Sequence, residues 1–281
     1  MMEQYRAKKY PYKIVSANNT PDNPPYPLLK SDSGEDKMFG ISREHGRSYI
    51  VGKNNDRHII SKGNGLSYSR YRFLNFGEFG NDTFGLLLRE DAIRDFNIGL
   101  EVANMGIKTN RMEYILEIDK NLRIPYTGIT LRPILLQYTV ECPFRISDCL
   151  NLNEEGIMNH IHNWERLNND GYQYKHQIAA DVIFKNLRIL HDNHVLHNAI
   201  SSHNYTWALE LLDFELARTP KHPYTKSDYE RHVCEFYPRE IIHTYQVINR
   251  IALLLNEPVD DGIIDLIMLK HGFDLRKFHV K

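Results

Sequence analysis

At 281 residues, with 42% hydrophobic and 25% charged side chains, the chain is long enough to bury one sizeable core or two smaller lobes. Its 35 basic and 36 acidic residues leave a formal net charge of −1, so there is no overall electrostatic case for nucleic acid or an anionic membrane. Cys142, Cys149 and Cys234 lack a CxxC pair, which argues against a disulfide framework or structural zinc, and no apolar run reaches the roughly 18 residues of a membrane span, so a soluble cytoplasmic protein is expected.

Pro21, Pro24, Pro25 and Pro27 stand among Asn, Ser and Asp and predict an extended lead-in over residues 1–37, with the domain starting near Met38. Ser48-Tyr49-Ile50-Val51 ending at Gly52, and His58 to Lys62 ending at Gly63, read as a hairpin. Residues 71–85 mix aromatics with glycines and read as a loop. From Glu90 to Met105 the spacing of Ile93, Phe96, Leu100 and Ala103 predicts a helix stopped by Gly106, with Asp95 on the outer part of its pattern. Strands are expected at Met112–Ile118 and Ile134–Val140.

Past Pro143 the period changes. Helices are predicted at Ile157–Leu167, Tyr174–His191, Glu240–Leu255 and Gly262–Leu269, with Asp260-Asp261 at a helix start. Strands with one helix followed by a helical half is the order of a two-lobed, protein-kinase-like α+β fold, with a mostly β lobe at 38–140 and a helical lobe at 141–281. The alternate spacing of His160 and His162 within a helix splays the rings apart and excludes them as a metal pair. Trp164 and Trp207 read as core aromatics.

The chemistry concentrates in His197-Asn198-Ala199-Ile200-Ser201-Ser202-His203-Asn204, followed nine positions after Asn204 by Asp213-Phe214-Glu215. This is the frame of a kinase catalytic loop and its metal-binding Asp, but Ala199 stands where the catalytic Asp belongs. An amide and a carboxylate at Asn204 and Asp213 suit a hard divalent cation. Asn204 alone would also fit a loop cap, and Asp213 a turn acid. Lys62, at the end of an apolar strand, could reach nucleotide phosphates with Asp95 as its partner; taken singly, they also fit a solvated lysine and an ordinary surface acid.

Several phrases occur in order. Lys62-Gly63-Asn64-Gly65-Leu66-Ser67-Tyr68-Ser69-Arg70, Ile93-Arg94-Asp95-Phe96 and Met105-Gly106-Ile107-Lys108-Thr109-Asn110-Arg111 resemble LKGAGxTPYSR, IREF and LGIPTTR of the selenoprotein O family. Glu44 to Gly52 resembles the family's GDGRAxxLG, and His197 to Asn204 its HGVxNTDN, with the same nine-residue step to a metal-binding Asp. The resemblance covers roughly residues 40–218; family members are longer. They are kinase-like proteins that transfer AMP from ATP to protein hydroxyls, and they too carry an apolar residue at the position of Ala199.

The resemblance implies ATP with Mg2+ or Mn2+ as cofactors and a protein or peptide hydroxyl as acceptor. Lys62 and Arg145 would contact phosphates, Asp95 would hold Lys62, and Arg47 and Gly46 would lie in the glycine-containing hairpin. Asn204 and Asp213 would bind the metal. Three departures stand out. Asp95 replaces the family's Glu, His203 replaces the Asp before the metal-binding Asn, and the family's first phosphate arginine falls near Gln137, with Arg132 close by in sequence. A neutral imidazole at His203 can accept a proton near pH 7, although it also fits a packing or surface residue. The same residues accommodate two other outcomes, a conventional phosphotransferase or a nucleotide-binding module without catalysis.

Overall fold

The computed structural model describes residues 3–41, 47–65, 85–123, 130–147, 152, 156–222 and 229–274. They form a mixed α+β structure in two compact units, one of residues 1–100 and 110–143, the other of 101–109 and 144–281. Among the described residues no helix is long and apolar enough to cross a membrane. The predicted loop at 71–85 lies, except for Gly85, outside them, as does Gly46.

The first unit is built on one antiparallel sheet. Its strands in chain order are β1 (Gln4–Lys9), β2 (Tyr12–Ala17), β3 (Leu28–Lys30), β4 (Asp36–Gly40), β5 (Ser48–Asn54), β6 (Arg57–Lys62), β7 (Arg111–Ile118) and β10 (Ile134–Val140). A separate short pair, β8 (Leu122–Arg123) and β9 (Thr130–Leu131), lies between the last two. The order across the sheet is β2-β7-β10-β6-β5-β4-β1-β3. Only Tyr10 and Pro11 separate β1 from β2, yet these strands sit near opposite ends of that order. Two residues span less than about 10 Å, so the sheet curls until its ends approach each other.

This corrects the expectation of an extended lead-in, because three of the eight strands lie within residues 1–37. Two buried polar side chains hold the proline-rich stretch in place. The β10–β7 register steps from Gln137↔Tyr114 to Tyr138↔Met112. Glu113 is therefore the extra residue of a β-bulge, a device that re-aims a side chain. Its carboxylate accepts hydrogen bonds from the Asp22 and Asn23 N–H groups at 2.9 and 3.3 Å and from Asn23 Nδ2 at 3.2 Å. Burial pushes the Glu113 carboxyl above its ordinary range, and these three donors oppose that shift. Gln137 accepts from Tyr26 N–H at 2.9 Å and donates to the Pro24 carbonyl at 3.1 Å.

Alternation separates the two faces. Lys62 pairs with Leu136 and Ser61 with Gln137, so Lys62 and Gln137 project from opposite sides. On the Gln137 side, Leu29 of β3 packs with Tyr114, Leu116, Ile118 and Leu135, and Leu28 packs with Ala7, Met38 and Tyr49. On the other side lies α1 (Arg89–Asn104), close enough that a Cβ on Gly99 would stand 2.4 Å from Met112 Cε. The expected hairpin is present as β5 and β6, as are the strands β7 and β10 and the helix α1. Asp95, expected on the outer part of α1, is instead buried at 1% exposure.

In the second unit, α2 (Ile157–Asn163) runs into a 3-10 turn at Trp164–Leu167, followed by α3 (Lys175–Asp192), α4 (Tyr229–Leu255) and α5 (Asp261–Lys270). Ala180, Phe184 and Leu187 of α3 pack with Ile241 and Ile248 of α4 and Ile264, Ile267 and Met268 of α5. The helix α4 begins eleven residues before the predicted Glu240 and contains Pro238. A proline costs one main-chain bond and introduces a clash, and here packing of the helix outweighs that cost. Asp260 caps α5, accepting from the Gly262 and Ile263 N–H groups. Trp164 and Trp207 are buried and stacked at 6.0 Å, with Trp164 Nε1 donating to the Trp207 carbonyl.

Candidate functional site

In the first unit, the central strand β6 ends at Lys62, and its Nζ donates to Asp95 Oδ2 at 2.9 Å. The shorter acid thus reaches its lysine from α1. Both side chains are at least 98% inaccessible. A buried ion pair loses hydration on both sides, so it is poor evidence of added stability and stands out as a feature needing another reason. Gly63 follows at φ 97°, and a Cβ there would fall 2.3 Å from the Ile134 carbonyl oxygen. Only glycine therefore lets the chain leave β6 directly after the lysine. The Gly63 N–H donates to the Arg47 carbonyl at 2.7 Å, which ties Arg47 to this exit.

Gln137 has its amide committed to Tyr26 and Pro24. It faces away from Lys62, and no cation stands at that position to meet a phosphate. Arg132 pairs on the surface with Asp119 at 3.3 Å and Glu117 at 3.7 Å.

In the second unit, the loop after α3 is fixed from several directions. Leu196 and Arg218 exchange main-chain hydrogen bonds at 2.9 and 2.7 Å. The His197 ring is fully buried; Ala199 N–H donates to Nδ1 at 3.3 Å, so Nε2 carries the proton and donates to the Leu212 carbonyl at 2.9 Å. That tautomer is neutral, and burial lowers the pKa of His197 against weaker opposing effects of Glu240, the Leu212 carbonyl and Asp213. Asn198 adopts a left-handed φ of 64°, and its N–H donates to Glu240 Oε1 at 2.7 Å. The other Glu240 oxygen meets His191 Nε2 at 3.0 Å, and His191 stacks on Tyr237.

A 3-10 turn at Ser202–Asn204 leads into a tight hairpin. Tyr205 and Leu211 form its antiparallel bridge, and Leu212 N–H donates to the Asn204 carbonyl at 2.9 Å. Asn204 therefore stands opposite Leu212, next to Asp213. The nine-residue interval is the length of this hairpin. Thr206 Oγ1 accepts from Ala208 N–H and Glu210 N–H inside the turn, and Leu209 takes a φ of 58°. On its other side Leu211 bridges to Thr109 in parallel, with Thr109 Oγ1 donating to the Leu211 carbonyl at 2.5 Å.

Side-chain placement follows from these anchors. Asn204 Nδ2 donates to the Ala199 carbonyl at 2.9 Å, which fixes Oδ1 as the available ligand atom. Asp213, at φ 69°, has a carboxylate oxygen within 4.8 Å of one from Glu215. Glu215 is a candidate that the sequence patterns alone do not single out. The signal was the third position of Asp213-Phe214-Glu215, where the kinase pattern has glycine. One amide and two carboxylate oxygens are the donors that Mg2+ or Mn2+ takes, so this set fits such a cation. Arg145 Nη1 donates to the His203 carbonyl at 2.8 Å and lies 3.5 Å from Asn204 Oδ1. The His203 side chain is half-buried one residue before Asn204.

No family model matches the sequence, and no curated protein sequence matches it. Among solved structures the chain is similar to the kinase domain of a specific rhoptry antigen of Toxoplasma gondii, at a TM-score of 0.32 and 10% identity. The alignment covers 67% of this chain and 53% of that one, so this chain spans about half of that structure's length. A likeness this distant leaves function to be argued from the residues.

Proposed function

We propose that this is a kinase-like nucleotidyltransferase that binds ATP with Mg2+ or Mn2+ and transfers AMP to a hydroxyl of a protein or peptide. The observation that carries the reading is the hairpin that sets Asn204 beside Asp213 at the end of a loop with no acid at Ala199. A phosphotransferase of the usual kind needs its base at that position, and a methyl group cannot serve.

Lys62, held by Asp95, is assigned to the phosphates, with Arg47 and Gly46 in support. Asn204 and Asp213 are assigned to the cation, joined by Glu215. The acceptor oxygen forms a bond to the α-phosphorus as the bond from that phosphorus to the bridging oxygen breaks. Pyrophosphate leaves, and the hydroxyl proton passes to His203. The cation, when bound, offsets charge on the phosphates during this exchange.

The test is incubation with ATP labelled at either the α or the γ phosphate, with Mn2+, followed by intact-mass analysis of the protein and of added acceptor proteins. Transfer of α label with a mass gain of one AMP is expected. Label arriving from the γ position alone would overturn AMP transfer in favour of phosphotransfer. A second reading, a nucleotide-binding scaffold without catalysis, is favoured by Gln137, which sits where the family's first arginine falls and is spent on the proline-rich segment. Its signature is a thermal shift with ATP and Mn2+ that Asp213→Ala abolishes, without any mass gain.

A further inference from the structure

We propose that the outer face of α5 is a docking surface for a basic amphipathic helix of a partner protein. One bulky apolar side chain of that helix seats among Leu266, Leu269 and Phe273, and its lysines or arginines meet Asp265 and Asp274. This surface is independent of the nucleotide reading above.

The face is set by the helix period. Gly262, Asp265, Leu266 and Leu269 stand at i, i+3, i+4 and i+7 and so share one side of α5, while Ile264 and Ile267 face the core with α3 and α4. A surface helix ordinarily turns polar groups outward on its free side. Here Leu266 is 65% and Leu269 43% exposed. With the buried Met268 and Phe273 beneath them they line a pocket of about 300 Å3, to whose rim Gly262 adds no side chain. That volume is at the low end for a ligand pocket and is enough for one leucine or phenylalanine side chain. Single exposed apolar residues are ordinary, but two on one helical turn over an apolar floor form a seat.

The charge around the pocket selects the partner. Asp260, Asp261, Asp265 and Asp274 belong to this stretch, with Lys270 and, when protonated, His271 as its described cations. Lys270 is already shared by Asp170 and Asp181, and His271 Nε2 meets the same Asp181 oxygen at 2.7 Å. Arg188, which approaches Gly272, pairs with Asp192 at 2.6 Å. Acid is therefore in excess at the pocket, and Tyr245 of α4 registers it. Burial first, then the Asp261 carboxylate that accepts its hydroxyl and the charge of Asp265, push that hydroxyl up. A neutral or acidic partner would cover these carboxylates without a counter-charge, so complementarity favours a basic one. A helix suits the site because its own i, i+3, i+4 row packs against such a stripe.

The experiment is fluorescence anisotropy on the whole chain with a labelled helical peptide that carries leucine and phenylalanine on one face and lysine and arginine on the other. A second peptide has glutamate in place of every basic residue. The basic peptide is expected to bind saturably, and the acidic one at least about tenfold more weakly. Leu266→Ser with Leu269→Ser is expected to weaken the basic peptide by about tenfold or more, with an unchanged denaturation midpoint because both residues are exposed. Asp265→Asn is expected to weaken it by about threefold and to flatten its salt dependence. Absence of binding by the basic peptide overturns the proposal, as does equal binding of both peptides or binding that the leucine variant leaves unchanged. A dimer in light scattering that the leucine variant dissolves gives the face to a second copy. Peptide binding that appears only after Leu275→Ser with Phe278→Ser gives it to the chain's own residues 275–281, which lie outside the described ones. Either of these results overturns the proposal as well.

Discussion

The two compact units hold their candidate site residues by different physics. In the first, Lys62 and Asp95 are buried and serve as each other's counter-charge at 2.9 Å. In the second, Asn204 and Asp213 are placed by main-chain hydrogen bonds, a neutral imidazole and left-handed residues. One charge of such a buried pair cannot be removed alone without damage to the fold. A polar side chain carried by a braced hairpin can be, because the braces at His197 and Glu240 are other residues. In the first unit a single substitution would strike stability and the proposed chemistry together; in the second the two come apart.

The largest effect expected is from Lys62→Ala, which strands a buried carboxylate and should cost about 3–5 kcal/mol in chemical denaturation. Replacing the pair together, as Lys62→Met with Asp95→Leu, should recover most of that loss while nucleotide binding stays absent. A Lys62→Ala chain within about 1 kcal/mol of wild type would erase the contrast between the units.

His197→Ala comes next. It leaves the Leu212 carbonyl and the Ala199 N–H without their ring partner, for a loss of about 2–3 kcal/mol. The same residue gives a pH signature. With its folded pKa lowered, the unfolded chain binds the extra proton first, so stability is complete above about pH 6.5. It falls as pH drops below that value, by at most about 1.4 kcal/mol per pH unit, until the folded pKa is reached. Denaturation midpoints compared between wild type and His197→Gln from pH 7.5 to 5.5 would show a shallower slope in the variant, the remainder including His243, whose pKa burial also lowers. An unchanged slope would mean that the ring is not held neutral.

Gln137→Leu should cost about 1–2 kcal/mol by orphaning the Tyr26 N–H and the Pro24 carbonyl, with faster amide exchange concentrated at residues 22–26. Smallest for stability is Asp213→Asn, within about 0.5 kcal/mol, because asparagine tolerates the left-handed backbone. The same variant should lose the ATP and Mn2+ thermal shift entirely. A large stability loss there would show that the second unit also merges fold with chemistry.

What could be read in the sequence follows this division. The hairpin of β5 and β6, the helix α1 and the period change after Pro143 are local patterns, and they appear where apolar spacing puts them. The Asn204 to Asp213 interval was legible because a tight hairpin has a fixed length. Residues 1–37 were not, since Pro24 and Asn23 are ordered by Gln137 and Glu113, side chains 113 and 90 residues away. Periodicity carries no record of such partners. Asp95 looked exposed because a charged residue is assigned outward until its counter-charge is known, and the link from Arg145 to Asn204 joins residues 59 positions apart that no spacing rule connects.

The two-residue step from β1 to β2 across a curled sheet has a consequence for how the protein is made. Strands 4–17 leave the ribosome about a hundred residues before Glu113 and Gln137 exist, a wait of roughly 5–20 s at ordinary rates of synthesis. β1 has its partners β3 and β4 close by in sequence, but until then β2 lacks β7, and that pairing carries the largest loop-closure entropy of any in this sheet. β2 should therefore dock last in both synthesis and refolding. During that interval the unpaired edge of β2 is the surface most open to wrong pairing.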